Sequence, residues 1–233
     1  MTQAVALVTG AARGLGRAIA TDLARDHAVA ITYKTTDPGP LLTKRPDVFA
    51  IEADLADPAQ IAALPQKVID HFGRLDLIVN NAGTVMPDNA ESFDPQTVAD
   101  TMAVNVAAPM GLVAAALPHL EPGAAVVNIS SMNARLPAMS AHSYSASKAA
   151  MDTWTRIAAK TLGPKGIRVN AVAPGPVNTP EAPRPDDLTQ LFLKDTALGA
   201  LATPEDIASA VRFLATAPAI TGEVLTVSAG YRL

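Results

Sequence analysis

"AVALVTGAARGLGRA", residues 4–18, joins a run of small apolar residues to a turn carrying Gly10, Gly14 and Gly16, and then to a helix-forming stretch. The apolar run Ala4 to Val8 has the look of a strand buried on both faces, as in a parallel sheet covered by helices. Glycines let the backbone turn tightly and approach a bound group, and the helix that follows presents the positive end of its dipole. Strand, glycine turn and helix therefore read as the opening of a βαβ unit able to hold a pyrophosphate. The spacing is G-x-x-x-G-x-G, which differs from the G-x-G-x-x-G dinucleotide fingerprint. The rest of the chain has to decide whether the turn serves a nucleotide.

Outward from this stretch, strand-like runs recur at 28–33, 47–51, 75–79, 124–129, 167–172 and 223–227. Segments of helical length lie at about 14–26, 58–71, 95–119, 143–163 and 204–216. This alternation predicts an α/β fold, a Rossmann-like doubly wound seven-stranded parallel sheet. No repeat, low-complexity tract or linker divides the 233 residues, so the expectation is a single domain over 1–233, both dinucleotide-binding and catalytic. The link "KTTDPGPLLTKRP" at 34–46 is too turn-rich to read as a helix. The proline-rich segment "APGPVNTPEAPRPDDLTQ" at 173–190 reads as a loop over a site.

Composition excludes several function classes. A net charge of −4, a pI near 5.5 and no basic cluster argue against a nucleic-acid or anionic-membrane surface. There is no cysteine, and the histidines at 27, 71, 119 and 142 have no metal-ligand spacing, so no metal is expected. The N-terminus enters a strand without the marks of a signal peptide, and the apolar region 103–118 is interrupted by Asn105, Pro109 and Gly111 and is short for a membrane span. The expectation is a cytoplasmic protein whose partners are small molecules and copies of itself.

One stretch points to chemistry. In "SYSASKAA", residues 143–150, Tyr144 precedes Lys148 by four positions, which puts both on one face of a helix. A phenol with a pKa near 10 is a poor proton donor at neutral pH unless its phenolate is stabilised, and an ammonium one turn away supplies that. Such a pair is a weak signal alone and needs context.

The glycine spacing and the Tyr-Lys pair together resemble the classical short-chain dehydrogenase/reductase family, over essentially the whole chain and with the motifs in order. Asp54-Leu55 stands where the family contacts the adenine. "NNAG", Asn80 to Gly83, stands where it supports sheet and cofactor, which brings in Asn81, Ala82 and Gly83. Asn105 takes the place of the active-site asparagine, and Ser131, thirteen residues before Tyr144, that of the catalytic serine. Adjacent Ser130 should face the other way along an extended segment. "PGPVNT", Pro174 to Thr179, matches the segment that holds the nicotinamide carboxamide, with Pro174, Gly175, Val177 and Thr179 as contacts. The resemblance implies that Tyr144 is the general acid, that Lys148 lowers its pKa and holds the nicotinamide ribose, and that Ser131 hydrogen-bonds the substrate oxygen. Asn105 then positions a water between Lys148 and solvent.

Within the family the chain most resembles 3-oxoacyl-carrier-protein reductases. Pteridine reductases are disfavoured, because they usually carry Arg at the position of Gly14 and Asp at that of Ser131. "HLEPGA", 119–124, lacks basic residues that would attract an acidic acyl carrier protein, so a small carbonyl or alcohol substrate is favoured over it. A homotetramer is implied by the resemblance. The rival readings are an NAD-linked alcohol dehydrogenase and a non-catalytic dinucleotide-binding sensor. Retention of Ser131, Tyr144 and Lys148 argues against the second.

Cofactor choice turns on the end of the second strand. NAD enzymes place an acid about 20 residues beyond the glycine motif, and that count from Gly14 reaches Lys34. Lys34, Thr35 and Arg13, beside Leu15 at the turn, could surround a 2′-phosphate, so NADP(H) is preferred, with NAD(H) as the alternative if Asp37 folds back. Asn133, Met139, His142, Pro176 and the loop 180–200 are candidates for the substrate pocket.

Overall fold

The computed structural model describes residues 3–179 and 181–232. Pro180, inside the segment expected to cover the site, lies outside them, as does part of the N-terminal run.

Seven strands form one sheet, all in parallel: β1 Ala4–Val8, β2 His27–Tyr33, β3 Phe49–Glu52, β4 Leu77–Asn80, β5 Ala125–Ile129, β6 Arg168–Pro174 and β7 Val224–Val227. Their order is β3-β2-β1-β4-β5-β6-β7. The chain winds outward from β1 in one direction and from β4 in the other. A crevice must therefore open at the carboxyl ends between β1 and β4, where the winding reverses.

The helices are α1 Gly14–Leu23, α2 Gly39–Leu42, α3 Pro58–Phe72, α4 Pro95–Met102, α5 Ala108–Ala116, α6 His142–Leu162, α7 Asp186–Lys194 and α8 Pro204–Thr216. Several begin on a capping residue followed by proline. Asp57 accepts from Ala59 N at 2.9 Å ahead of Pro58, Asp94 accepts from Thr97 N at 3.0 Å ahead of Pro95, and Thr203 forms a capping box with Asp206 ahead of Pro204. Two elements differ from expectation. The turn-rich link after β2 holds the short α2, entered through a turn in which Asp37 accepts from Gly39 N, and the segment after β6 holds the amphipathic α7.

Strand side chains alternate between two apolar layers. Val5, Leu7, Ile78 and Val126 pack with α3, α5 and α6, while Ala6, Val8, Val79 and Val127 pack with α1 and α8. Both faces are covered, which is why the strands are apolar throughout. The helical run Pro95–His119 is 25 residues long with a mean hydropathy of 1.5, enough by length and composition to cross a bilayer. Its Leu112, Val113 and Ala116 are buried in the layer that α3 shares.

Candidate active site

A cleft of about 1290 Å³ runs along the carboxyl ends of the strands, lined by the chain just beyond β1 to β6 and by Tyr231 and Arg232 after β7. Its floor is the glycine turn. Gly10 has φ +62 and donates its N–H to Thr32 Oγ1 at 3.0 Å, while Ala11 N donates to Thr32 O at 2.9 Å. A β-carbon at Gly16 would overlap Asn81 Nδ2 and lie 2.6 Å from the Gly10 carbonyl oxygen, so only glycine lets α1 start this close to the turn. Arg13 precedes α1 in extended conformation, exposed and without a side-chain cap, which leaves the helix N-terminus for a ligand. Thr179 stands over the same turn, its Cγ2 3.8 Å from where a Gly14 β-carbon would be. Leu15, Ala82, Pro174, Gly175 and Val177 also line the cleft. A narrow glycine turn under an uncapped helix end suits a dinucleotide pyrophosphate.

Asn81 lines the cleft and supports its floor. Its Nδ2 donates to the carbonyls of Thr9 at 2.8 Å and Gly10 at 3.0 Å, so the amide is spent on the protein and braces the turn. Thr9 returns the contact, its Oγ1 accepting from the N–H groups of Asn81 and Ala82 at 3.0 Å each. Thr9 and Thr32 were not singled out from sequence. Their partners lie on other strands, and nothing local marks them.

The proposed chemistry gathers on β5 and α6. Ser131 is extended, and its Oγ accepts from Asn133 N at 3.1 Å, which fixes the hydroxyl at the head of a 3₁₀ turn. It is hydrogen-bonded to the half-buried Tyr144 phenol. Lys148 is buried, with its Nζ 2.7 Å from the Ile129 carbonyl and 5.6 Å from the centroid of the Tyr144 ring. Burial lowers the Lys148 pKa to about 8 against the opposing charge of Asp152. Burial also pushes the Tyr144 phenol above its ordinary value, and the Ser131 hydrogen bond only partly counters this. The ammonium sits over the ring and bonds a carbonyl, and the phenol has lost solvent. Ser130 faces away, as alternation requires, and its Oγ donates to buried Asp152.

Asn105 lies in a π-helical turn, Ala103–Ala107, between α4 and α5. Its Nδ2 donates to Thr84 O at 2.9 Å and Ser147 Oγ at 3.0 Å, and its Oδ1 accepts from Thr84 N at 2.8 Å. Both amide hydrogens are therefore committed to protein, and the side chain ties the loop after β4 to α6. A β-carbon at Gly83 would lie 3.2 Å from Asn105 Oδ1 and 3.7 Å from Lys148 Nζ, so this glycine keeps the space beside the lysine open.

At the other end Arg13, Lys34, Thr35, Thr36, Asp54 and Leu55 line the cleft. Lys34 Nζ is 2.7 Å from Asp54 Oδ2, and this hydrogen bond holds the Asp54 carboxyl below its usual range. The lysine expected to wait for a phosphate is already shared with the residue expected to meet the adenine. With Lys34 61 % exposed, the pair is worth about 0–1 kcal/mol and yields to a better anion. Asp37 accepts from Gly39 N at 2.8 Å in the turn that leads into α2 and does not line the cleft.

Of the substrate candidates, Asn133, Met139 and Pro176 line the cleft and His142 does not. His142 opens α6 beside Asp88, whose carboxylate accepts from Ser143 N at 2.9 Å and lies within electrostatic reach of the imidazole. The covering segment supplies Arg184 and Phe192, and the C-terminal tail supplies Tyr231 and Arg232. Phe192 meets Tyr231 edge-on at 5.6 Å, Arg232 pairs with Asp195 at 3.1 Å, and Glu181 pairs with Arg17 of α1. No sequence signal joined the tail to this segment.

Among proteins of known sequence, the 3-oxoacyl-[acyl-carrier-protein] reductase FabG of Staphylococcus aureus (strain Mu50) is 34 % identical over 237 residues, covering 97 % of this chain and 96 % of that protein. A short-chain dehydrogenase/reductase from Serratia marcescens BCRC 10948 superposes with a TM-score of 0.93 at 34 % identity, over 100 % of this chain and 99 % of that one. This chain belongs to the short-chain dehydrogenase/reductase family. The family model described as "Enoyl-(Acyl carrier protein) reductase" matches residues 10–232. A short-chain dehydrogenase from Burkholderia cenocepacia J2315, solved in complex with NADP, superposes with a TM-score of 0.92 at 33 % identity, over 100 % of this chain and 98 % of that one. Short-chain dehydrogenases/reductases act on carbonyl and alcohol groups with NAD(P), and this protein is such an oxidoreductase.

Proposed function

We propose that the protein is an NADP(H)-dependent carbonyl reductase or alcohol dehydrogenase for a small ketone or secondary alcohol, with 3-oxoacyl compounds within its range. The observation that carries this reading is the convergence of the Ser131 hydroxyl, the Tyr144 phenol and the Lys148 ammonium on one wall of a dinucleotide-sized cleft. The nicotinamide supplies or accepts hydride when bound. Tyr144 gives its proton to the substrate oxygen in reduction and takes it back in oxidation. Ser131 donates a hydrogen bond to the same oxygen and favours the negative charge that develops there. Lys148, cationic, favours the phenolate and holds the ribose. Glycines 10, 14 and 16, with Thr179, hold the pyrophosphate, and Leu55 and Asp54 flank the adenine.

NADP(H) is favoured over NAD(H) because Asp37 accepts from Gly39 N and stays outside the cleft, while Arg13, Lys34 and Thr35 edge the adenosine end. The Burkholderia relative's complex with NADP supports the same choice. The Staphylococcus relative supports membership of a carrier-protein pathway. A homotetramer fits the resemblance.

The test is nicotinamide absorbance with purified protein, each cofactor and a panel of ketones, 3-oxo esters and secondary alcohols. Turnover with NADPH is expected, and Tyr144→Phe should lower it by roughly 10² to 10⁴ while cofactor affinity holds. Near-normal turnover in that variant would remove Tyr144 from the chemistry.

A further inference from the structure

Among the described residues five cations line the cleft: Arg13, Lys34, Lys148, Arg184 and Arg232. Lys34 pairs with Asp54, Arg232 pairs with Asp195, Lys148 sits beside Tyr144, and Arg13 is exposed at the adenosine end. Arg184 is unlike these. It is half-buried, and among the described residues it has no ion pair. Its guanidinium is nonetheless held in place. Nη1 donates to the Val177 carbonyl and to Asn178 Oδ1 at 2.9 Å, and the group stacks over the Phe192 ring with Cζ 5.5 Å from the centroid. A guanidinium carries five N–H donors in a rigid fork. The two on Nη1 are committed, and those on Nη2 and Nε have no partner among the described residues.

We propose that Arg184 binds a carboxylate of the substrate, so that the preferred carbonyl compounds are oxo acids bearing a short apolar chain. This rests on the reductase reading above. A planar fork preset by three contacts matches a carboxylate in two parallel hydrogen bonds. Burial without a counter-ion depresses the Arg184 pKa, and an arriving anion relieves that cost. The pyrophosphate is the other anion to consider, but it has its own seat at the uncapped start of α1 under Thr179. Arg184 is anchored instead to Val177, Asn178 and Phe192, and through Phe192 it adjoins Tyr231 of the tail. The cleft residues next to Ser131 and Tyr144 in the chain, Leu136 and Met139, are apolar, as are Val85 and Met86 after β4. They suit the chain of such an acid.

The experiment compares the parent with Arg184→Gln, which keeps length and hydrogen-bonding capacity but removes the charge. Specificity constants are measured for 3-oxo acids and their methyl esters with NADPH. Thermal midpoints of the NADP-loaded proteins are measured with hexanoate and with hexanamide. The parent should favour acid over ester by about 10- to 100-fold and gain thermal stability from hexanoate only. Arg184→Gln should lose both effects and bind NADPH as the parent does. Equal losses for acid and ester, no discrimination between hexanoate and hexanamide in the parent, or a loss confined to NADPH affinity would overturn the proposal. Lack of turnover on every carbonyl compound would sink the reductase reading, and the hexanoate shifts would still decide for or against Arg184.

Discussion

A single buried ammonium gives this protein a pH signature. Lys148 has its folded pKa at about 8 against the ordinary lysine value of 10.5, so between those values the unfolded chain binds a proton that the folded chain does not. Stability then rises with pH through that window, because the cost of burying the charge disappears. The stability of the parent relative to Lys148→Met should increase by up to about 3 kcal/mol from below pH 8 to pH 10. Denaturant titrations at several pH values measure it, and a pH-independent difference would contradict the burial. Turnover should run the other way, since the cationic form is the one that favours the phenolate. The second residue-scale prediction concerns cofactor choice. Lys34 faces either a 2′-phosphate or Asp54, and truncating a charged hydrogen-bond partner costs about 1.5–3 kcal/mol, or roughly 10- to 150-fold in affinity. Lys34→Ala should weaken NADPH more than NADH, and Lys34→Asp should move preference toward NADH. Initial rates with both cofactors test this. A parent that prefers NADH would return the choice to Asp37.

The segment after β6 is the element whose behaviour matters most. The sequence reads it as a loop over the site, and it holds α7, whose Phe192 packs on Tyr231 and whose end is pinned by the Arg232–Asp195 pair. These contacts are few and partly exposed, which places the segment at the low-stability end of the molecule, as a lid requires. Amide exchange over 181–195 should slow when cofactor and product are added. Tyr231→Ala should speed it in the free protein by removing the aromatic edge contact. Equal exchange with and without ligands would make the segment a plain connector. The α4–α5 region shows the opposite case, where a π turn places Asn105 to lock Thr84 and Ser147 and leaves little freedom.

At the scale of the whole molecule, sheet order places the site. Winding that reverses between β1 and β4 brings the glycine turn, the loop after β4 and the end of β5 to one crevice, although they lie far apart in sequence. Large apolar side chains remain exposed on the outer helices, Ile157 on α6 and Phe213 on α8 among them. Such positions fit contact between copies, and the homotetramer that the resemblance implies predicts a mass of about four times 24.0 kDa in sedimentation or light scattering. A monomer at micromolar concentration would contradict it.

The fold was legible because its signals are local. Apolar runs of strand length, proline after a capping residue, and glycines at a strand end each act within a few positions, and the first strand begins and ends where periodicity put it. Tyr144 and Lys148 were legible for the same reason, one helical turn apart. Ser131 was separable from Ser130 by strand alternation and the family spacing. What sequence left open was decided by partners distant along the chain. Asn81 turned out to brace Thr9, Asn105 to be spent on Thr84 and Ser147, Lys34 to share Asp54, and Arg184 to be held by Val177, Asn178 and Phe192. A side chain's type fixes which bonds it can make. Which it does make depends on what packing brings within 3 Å, and whether it stays charged depends on how much water packing removes.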